Sequence, residues 1–477
     1  MSAEWPRVQI SDACDLIVDC VNKTAPRVDH ATPYKMIRTP NIRNGRIDLT
    51  DCRFVERETF EKWTRRAKVE RDDVLLTREA PMGEVGLVDF DDTVFLGQRI
   101  MQYRVNRSIL LPRFLLYSFL SPDLQNQFRM HDGTGSVVSH IRVPDCSKFE
   151  LNLPPLAEQE RITAILGSLD DKIQHNHQIN QTLEQMAQAI FKSWFVDFEP
   201  VKAKIAALEA GGSEEEALLA AMQAISGKDE AQLPRLQAEQ PEQYAELRAT
   251  AELFPSAMQD SELGEIPEGW RALPLYDTAE YVNGAAFKAK DFSESGSGLP
   301  IIKIAELKQG ISEGTKYTNS EVKEKYRITD GSVLYSWSGS PETSLEVFKW
   351  FGGEGWLNQH IFKLNFTKGQ SEHFTYFLLK QMKPLLVRTA QQKQTTGLGH
   401  ITVADMKRIK IPYPSPELLS AFSENIEPLY SRSSNAVRES KTLADLRDTL
   451  LPKLLSGELS ATGAEPHSLE AVEIANV

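Results

Sequence analysis

The chain has 477 residues, of which 41% are hydrophobic and 25% charged, as is usual for globular proteins. This length predicts about three folding units. No run of about 18 apolar residues occurs, and three aspartates lie in the first twenty residues. These features argue against a membrane span and a signal peptide, so we expect a cytoplasmic protein. The four cysteines form no Cys-x-x-Cys pair and are predicted to be reduced thiols rather than metal ligands.

The net charge of -13 is distributed unevenly along the chain. Residues 200–265 contain 5 basic and 13 acidic side chains, whereas residues 1–150 are neutral and residues 266–415 have a net charge of +4. Binding to nucleic acid depends on the local charge of the contacting surface. A DNA partner is therefore compatible with the two large blocks, despite the acidic total.

Several sequence pieces recur about 260 positions apart. SHIRVPD in the first half matches GHITVAD in the second, so that His140 corresponds to His400. Three further pairs follow in the same order: MIRTPNIRNG with IIKIAELKQG, DVLLT with SVLYS, and LGQRI with LNQHI. Such recurrence indicates an internal duplication. Each copy contains short β-like runs and a helical piece, which predicts two mixed α/β domains over residues 1–153 and 266–415.

A long helix is predicted after each copy, over residues 154–200 and 416–458. Apolar residues alternate at spacings of four and three, the pattern of a coiled coil, and the phase is kept when the first helix is shifted by 260 positions. We therefore predict an α+β fold in which two long helices, forming an antiparallel coiled coil, separate the duplicated domains. The predicted seam residues are Ile162, Leu166, Leu169, Ile173, Asn176, Asn180, Leu183, Ile190, Phe422, Ile426, Leu429, Leu443 and Leu450.

Polar residues occupy the middle of this predicted seam. In an antiparallel pair, Asn176 and Asn180 face Ser433, Ala436 and Ser440, and polar seam residues fix register at a cost in stability. The helix from Ala157 to Phe195 spans roughly 58 Å at about 1.5 Å per residue. A spacer of this length suits a ligand with two separated recognition elements, such as a DNA duplex.

Two further segments complete the chain. Residues 201–265 form an acidic insert, predicted to contain short helices broken at Gly211–Gly212 and at Pro234 and to serve as a linker or a protein-binding flank. Residues 459–477 are predicted to be a flexible tail.

A search for catalytic groups yields one weak candidate. Asp291, Glu306 and Lys308 have the composition of a Mg-dependent nuclease site, yet the first copy has Pro26, Asn41 and Arg43 at these places. No P-loop and no Gly-x-Gly-x-x-Gly turn after a strand is present. The sequence therefore predicts no catalytic and no metal site, with the nuclease as an alternative.

Binding is better supported, because polar and basic side chains occupy equivalent loops in both copies. Arg, Lys, Asn, Gln, Ser and Thr are the residues that contact phosphates and base edges. Solvated loops are the ordinary explanation for any one of them, but their occurrence in two copies favours DNA. The predicted DNA-binding residues are Arg38, Asn41, Arg43, Thr77, Arg78, Gly133, Thr134, Gly135, Ser136, Lys303, Lys308, Ser336, Ser338, Lys393, Thr395, Thr396 and Gly397.

The helical regions carry a family resemblance. NLPPLAEQERI, followed by LDDKIQHNHQINQTLEQMAQAIFKSWFVDFEPV (residues 169–201), closely resembles the specificity subunit of type I restriction-modification enzymes. RESKTLADLRDTLLPKLLSGELS (residues 438–460) resembles the C-terminal helix of that family. The resemblance covers nearly the whole chain, although its specific motifs lie in these two regions.

The resemblance implies a DNA-reading scaffold without catalysis. Each domain would read one half of a split, asymmetric target, and the paired helices would set the spacer. The helices would dock two modification subunits, which bind S-adenosylmethionine and methylate adenine, and motor-nuclease subunits using ATP and Mg would join them; this chain would bind no cofactor. The polar loops 133–136 and 395–397 would contact DNA. A Mg-dependent nuclease and a coiled-coil scaffold that binds only proteins are the alternatives.

Overall fold

A computed structural model describes residues 5–131, 140–294, 296–312, 314–393 and 398–461. The chain falls into two compact units. Unit 1 comprises Met1–His175 with Glu439–Val477, and unit 2 comprises Asn176–Arg438. Both long helices contribute residues to both units, because each continues through the unit boundary.

The first repeat, in unit 1, is built on a four-stranded antiparallel sheet. Its strands lie side by side in the order Cys14–Asp19, Ile100–Val105, Val74–Thr77 and Val85–Leu87. Apolar side chains from the sheet pack against the helices Pro112–Leu120 and Pro122–Arg129 in one core. The first turns of the first long helix also pack into this core, which positions the start of that helix on the domain.

A smaller mixed sheet and a terminal strand pair complete this repeat. Lys35–Ile37 pairs in parallel with Val94–Leu96 and antiparallel with Arg53–Phe54. Arg7–Gln9 pairs antiparallel with Glu150–Asn152, which brings the two ends of the repeat together. The remaining elements are the helices Ile10–Ala13 and Arg57–Trp63, the 3-10 turns Thr39–Asn41 and Val143–Asp145, and the hairpin of Ile42–Arg43 with Arg46–Ile47.

The second repeat, in unit 2, has the same topology. Its four-stranded sheet has the order Glu280–Asn283, Ile361–Asn365, Val333–Ser336 and Glu346–Lys349. Leu299–Ile302 pairs in parallel with Gly355–Leu357, as the matching strands do in the first repeat. The predicted duplication is therefore confirmed. The other elements are the strand pair Arg271–Pro274 with Lys410–Tyr413, the strands Tyr317–Thr318, Arg327–Ile328, Ser338–Gly339 and Gly399–His400, the helices Ile304–Gln309, Pro341–Ser344, Glu372–Gln391 and Val403–Arg408, and the 3-10 turns Leu275–Thr278, Ala289–Asp291 and Glu324–Tyr326.

The two long helices run over Leu156–Phe195 and Pro416–Leu455. The first ends a few residues before the predicted boundary, because Phe198 adopts a left-handed backbone conformation that a helix cannot contain. The Phe198 side chain is buried, with its ring 5.5 Å from that of Trp270. Burial of this aromatic side chain therefore holds the chain in the turn that ends the helix.

The acidic segment is a packed helical insert rather than an extended linker. The last three of its four helices share a small core formed by Leu218, Ala221, Met222, Leu233 and Ala251. The predicted break at Gly211–Gly212 is present, but the predicted break at Pro234 is wrong. Proline is tolerated in the first turn of a helix, where the backbone N–H has no partner within the helix. The elements are Glu199–Glu209, Glu214–Ser226, Gln232–Glu239 and Pro241–Glu252, followed by the hairpin Met258–Ser261 with Gly264–Pro267.

The cysteines and the helices bear on two further features of the chain. The four cysteines are free thiols, and burial raises the pKa of Cys14 and of Cys146 to about 12. Within the described ranges, no helix combines the length and the hydropathy needed to cross a membrane.

Candidate nucleic-acid interface

In unit 1 the long helices pack against each other in opposite directions. Asp170 accepts a hydrogen bond of 2.9 Å from Arg447, and Lys172 lies 3.6 Å from Glu439. Residue numbers therefore rise along one helix while they fall along the helix that it contacts, so the two helices are antiparallel. Further along the same seam, Ile162 belongs to one apolar cluster with residues 451, 454 and 455.

In unit 2 the same arrangement is made by apolar and aromatic residues. Phe422 packs against Phe191 and Trp194, with ring centroids 5.9 and 5.7 Å away. Burial follows the seam predicted from the sequence. Ile162, Leu166, Ile173, Asn176, Leu183, Phe422 and Ile426 are buried, and Leu169, Asn180, Ile190, Leu429, Leu443 and Leu450 are half-buried.

The polar middle of the seam is partly enclosed. Asn176 is 2% exposed, and Ser434 and Ala436 on the second long helix are buried. Asn180 and Ser433 line one cavity of about 430 Å³ within unit 2. The Asn180 Oδ1 atom is buried and accepts no hydrogen bond from the residues that the structure describes. This amide is therefore a weak point in the packing of the seam.

Three of the predicted DNA contacts have interior side chains in the structure. The Thr77 hydroxyl is fully buried and accepts a hydrogen bond of 2.9 Å from the backbone N–H of Glu84. Ser336 ends the matching strand of the second repeat and is also fully buried. Asn41 is buried, where its amide accepts from the backbone N–H of Arg38 and donates to the carbonyl of Asp48.

The carboxylates of the nuclease alternative have structural roles. Glu306 is buried and accepts hydrogen bonds from the backbone N–H of Lys303 and from the hydroxyl of Thr315. It caps a short helix at the place where Asn41 caps the equivalent turn. Asp291 likewise accepts from the backbone N–H of Lys288. In the described part of the chain, no group of three His, Cys, Asp or Glu residues is placed to hold a metal ion.

Two of the predicted basic contacts are engaged in ion pairs. Arg38 donates to the carbonyl and the carboxylate of Asp51. The Lys393 Nζ atom lies 2.6 Å from both carboxylate oxygens of Asp405, whose side chain is 2% exposed. Burial acts to raise the pKa of Asp405, but the hydrogen bonds from Lys393 and Thr402 outweigh it and lower the pKa to about 2. Lys393 therefore anchors the chain beside residues 394–397 and neutralises Asp405.

The remaining predicted contacts lie at the surface or outside the described residues. Arg43, Arg78, Lys303 and Ser338 are partly accessible, and Lys308 borders the cavity that contains Asn180. Gly133, Thr134, Gly135, Ser136, Thr395, Thr396 and Gly397 all lie outside the described residues.

A polar cluster surrounds Arg78 in the first repeat. The Arg78 N–H donates to the carbonyl of Arg99 at 2.8 Å, and its own carbonyl accepts from Ile141 at 3.0 Å. Beside Arg99, the Gln98 amide donates to Asn22 Oδ1 at 3.4 Å. We call Asn22, Arg78, Gln98 and Arg99 the first cluster; all four are exposed or half-buried.

The second repeat places a cluster at the same position. The Trp337 N–H donates to the carbonyl of His360 at 3.3 Å, and its carbonyl accepts from Ile401 at 2.9 Å. The Trp337 indole donates to Asn283 Oδ1 at 3.0 Å, and its ring lies 5.5 Å from that of His360. We call Asn283, Trp337, Gln359 and His360 the second cluster, and its members are exposed or half-buried.

Comparison with known proteins identifies the family. The sequence profile of the type I restriction modification DNA specificity domain matches residues 3–185 and 267–418. The chain belongs to this family. It is 32% identical to the HindI specificity subunit of Haemophilus influenzae, over 82% of this chain and 87% of that protein, and 23% identical to the MjaIX specificity subunit of Methanocaldococcus jannaschii, over 81% and 77%. A solved type I restriction-modification S subunit from M. genitalium matches with a TM-score of 0.45 and 15% identity, over 95% of this chain and 96% of that one.

Both polar clusters lie inside the segments that match the specificity-domain family, and the helical insert lies between those segments. Seven of the eight cluster residues were not predicted from the sequence, which indicated only Arg78 in either set. A signal was present, because Gln98 and Arg99 belong to LGQRI and their counterparts to the matching LNQHI. The recurrence of LGQRI as LNQHI indicated the duplication. Its position near Asn22 in the first repeat and near Asn283 in the second became visible only in the folded structure.

Proposed function

We propose that this specificity-family chain reads double-stranded DNA for a type I restriction-modification complex. The observation that carries the proposal is the pair of clusters, which present amide, guanidinium, imidazole and indole groups at equivalent places in two repeats. These are side chains that hydrogen-bond or pack against base edges. The chain contributes recognition, and catalysis belongs to its partners.

Each repeat would read one half of a split target. Because the first repeat presents Arg78 and Arg99 where the second presents Trp337 and His360, the two halves would differ and the target would be asymmetric. The length of the two long helices would set the unread spacer between the halves. Their continuity through the unit boundary supports this role.

The proposed complex includes modification and restriction subunits. We assign two modification subunits to each specificity subunit, one for each half of the target. S-adenosylmethionine, ATP and Mg²⁺ would be bound by those partners and not by this chain. The complex would act in the cytoplasm, where cellular DNA is its substrate.

The test is a map of adenine methylation. DNA from cells that express this chain with its modification subunit would be compared, by long-read sequencing, with DNA from cells that lack only this chain. We expect one split motif, with two short elements around a fixed gap, in the first sample alone. Absence of a motif, with the modification subunit active and bound, would contradict the proposal and favour a scaffold that binds only proteins.

A further inference from the structure

The two clusters share part of their chemistry and differ in the rest. Asn22 and Asn283 each lie at or just beyond the end of an edge strand, and Gln98 and Gln359 each precede the strand that pairs with it. The glutamine is therefore the same in both repeats, whereas the strand position of Asn283 is taken in the first repeat by Asp19, which pairs with Met101 as Asn283 pairs with Phe362. The positions of Arg78 and Arg99 are taken in the second repeat by an indole and an imidazole.

Backbone hydrogen bonds establish this equivalence independently of the sequence match. Arg78 bonds to Arg99 through its N–H and to Ile141 through its carbonyl, and Trp337 makes both bonds to the corresponding residues. The turn before Gln98 is also repeated, since the N–H of Gly97 donates to Ile37 at 2.7 Å and that of Asn358 donates to Ile302 at 3.0 Å. The repeats thus hold different side chains on equivalent backbone hydrogen bonds, while the local backbone differs in that Arg99 has a positive φ and His360 does not.

The backbone at Arg99 supports a functional role for this position. Arg99 has a φ of +75°, in the left-handed region that residues with a side chain rarely adopt. Such a conformation costs free energy and persists where the surrounding structure enforces it, often at binding sites. The Arg99 side chain is 51% exposed and forms an ion pair with Glu79. Its guanidinium is thereby held at the surface beside Gln98.

We propose that the first and second clusters are the base-reading faces of the two repeats. The shared glutamine, Gln98 or Gln359, reads adenine in both halves, because a side-chain amide can bond to N6 and N7 of adenine together. Arg99 reads guanine in the first half only, through O6 and N7. The Arg78 guanidinium instead donates to the carbonyl of Ile141 at 3.1 Å. Trp337 and His360 give the second half a different base, where the indole contributes an apolar face of the kind that packs against the thymine methyl group. This inference rests on the proposed DNA function.

The experiment maps adenine methylation for the full chain, four cluster variants and one control variant, each expressed with the modification subunit. Gln98→Ala and Arg99→Ala should relax single positions of the first half, raising methylation at sites with the wrong base there by about 10-fold or more. Gln359→Ala and His360→Ala should do the same in the second half alone. Arg57→Ala, which removes an exposed arginine paired with Glu61 on its own helix, is the matched control and should leave the motif unchanged.

A gain of specificity separates base reading from a structural effect. His360→Arg should introduce a preference for guanine at one position of the second half, which a merely destabilised domain would not acquire. Melting and co-purification with the modification subunit confirm that each variant is folded and assembled. An unaltered motif in folded Gln98→Ala and Arg99→Ala complexes would overturn the inference while leaving the proposed function intact. Loss of the split motif in the unaltered chain would instead refute the proposed function.

Discussion

Equivalent layers of the helix seam are ionic in unit 1 and aromatic in unit 2. In unit 1, Asp170 pairs with Arg447 and also accepts a hydrogen bond of 2.8 Å from the hydroxyl of Tyr117. The positions 260 residues away are Tyr430 and Ala187, which belong to one apolar cluster of unit 2. The duplication has therefore conserved the geometry of the seam while its chemistry diverged, and each half can be perturbed separately.

The largest effect is expected in the aromatic half. The Tyr430 ring packs against Tyr376 at 5.6 Å, and the Lys349 Nζ atom lies 3.6 Å from its centroid. Tyr430→Ala should lower the free energy of unfolding by about 3–5 kcal/mol, because it leaves a large cavity. Hydrogen–deuterium exchange should increase in unit 2 and not in unit 1. Tyr430→Phe, which removes only the hydroxyl, is the control and should cost about 0.5–1.5 kcal/mol; an equal loss in both variants would contradict the packing argument.

The second comparison concerns the aspartate that follows each polar loop. Asp405 is buried against Lys393, whereas its counterpart Asp145 is 24% exposed and accepts from Lys148 at 3.0 Å. Asp405→Asn should cost about 2–3 kcal/mol, because the ammonium of Lys393 loses its charged partner. Asp145→Asn should cost less than about 1 kcal/mol. Denaturation of the full-length variants by urea measures both, and equal losses would contradict the difference in burial.

The loss of stability at acid pH should depend on the same aspartate, Asp405. The pKa of Asp405 is lowered to about 2, below the value of about 3.9 for an unfolded aspartate. The stabilisation it provides is therefore complete above about pH 5 and is lost as the pH falls towards 2. Unfolding measured between these limits should show a smaller decline for Asp405→Asn than for the unaltered chain. Parallel pH curves would contradict the assignment.

The ionic half of the seam should respond less than the aromatic half. Arg447 is 22% exposed on its side chain, so Arg447→Ala should cost about 1–2 kcal/mol and increase hydrogen exchange in unit 1 alone. Lys172→Ala is the control, since its pair with Glu439 is about half exposed on both sides and should contribute less than about 0.5 kcal/mol. A larger loss of stability for Lys172→Ala than for Arg447→Ala would contradict this, because the pair of Lys172 and Glu439 would then be the stronger ionic contact.

The smallest effect, and the opposite sign, is expected in the polar middle. Asn180→Leu should stabilise the chain by about 1 kcal/mol, because it removes a buried oxygen without a hydrogen-bond donor among the described residues. It should also loosen register, so that the methylated motif tolerates more than one gap length. Asn435→Leu, on an exposed position of the second long helix, is the control and should change neither property. Unchanged melting and an unchanged gap for Asn180→Leu would contradict a register-setting role.

The sequence predicts the duplication and the long helices because both are periodic signals. The offset near 260 between repeated pieces, and the spacing of apolar residues by four and three along the helices, can both be read directly from the sequence. The burial of Thr77 and Ser336 was not predicted, because each polar side chain ends a strand and turns inward, which composition does not reveal. The clusters around Arg99 and His360 were missed because their members are far apart in the chain and meet only through strand pairing.

The central claim, that each repeat reads one half of the target, is tested most directly by an exchange. Residues 266–415 would be replaced by the equivalent segment of the HindI specificity subunit, which is 32% identical to this chain, and the adenine-methylation motif of the assembled complex would be mapped. The account predicts that the first half of the motif is retained and only the second half changes. A motif altered in both halves, or in neither, would contradict it.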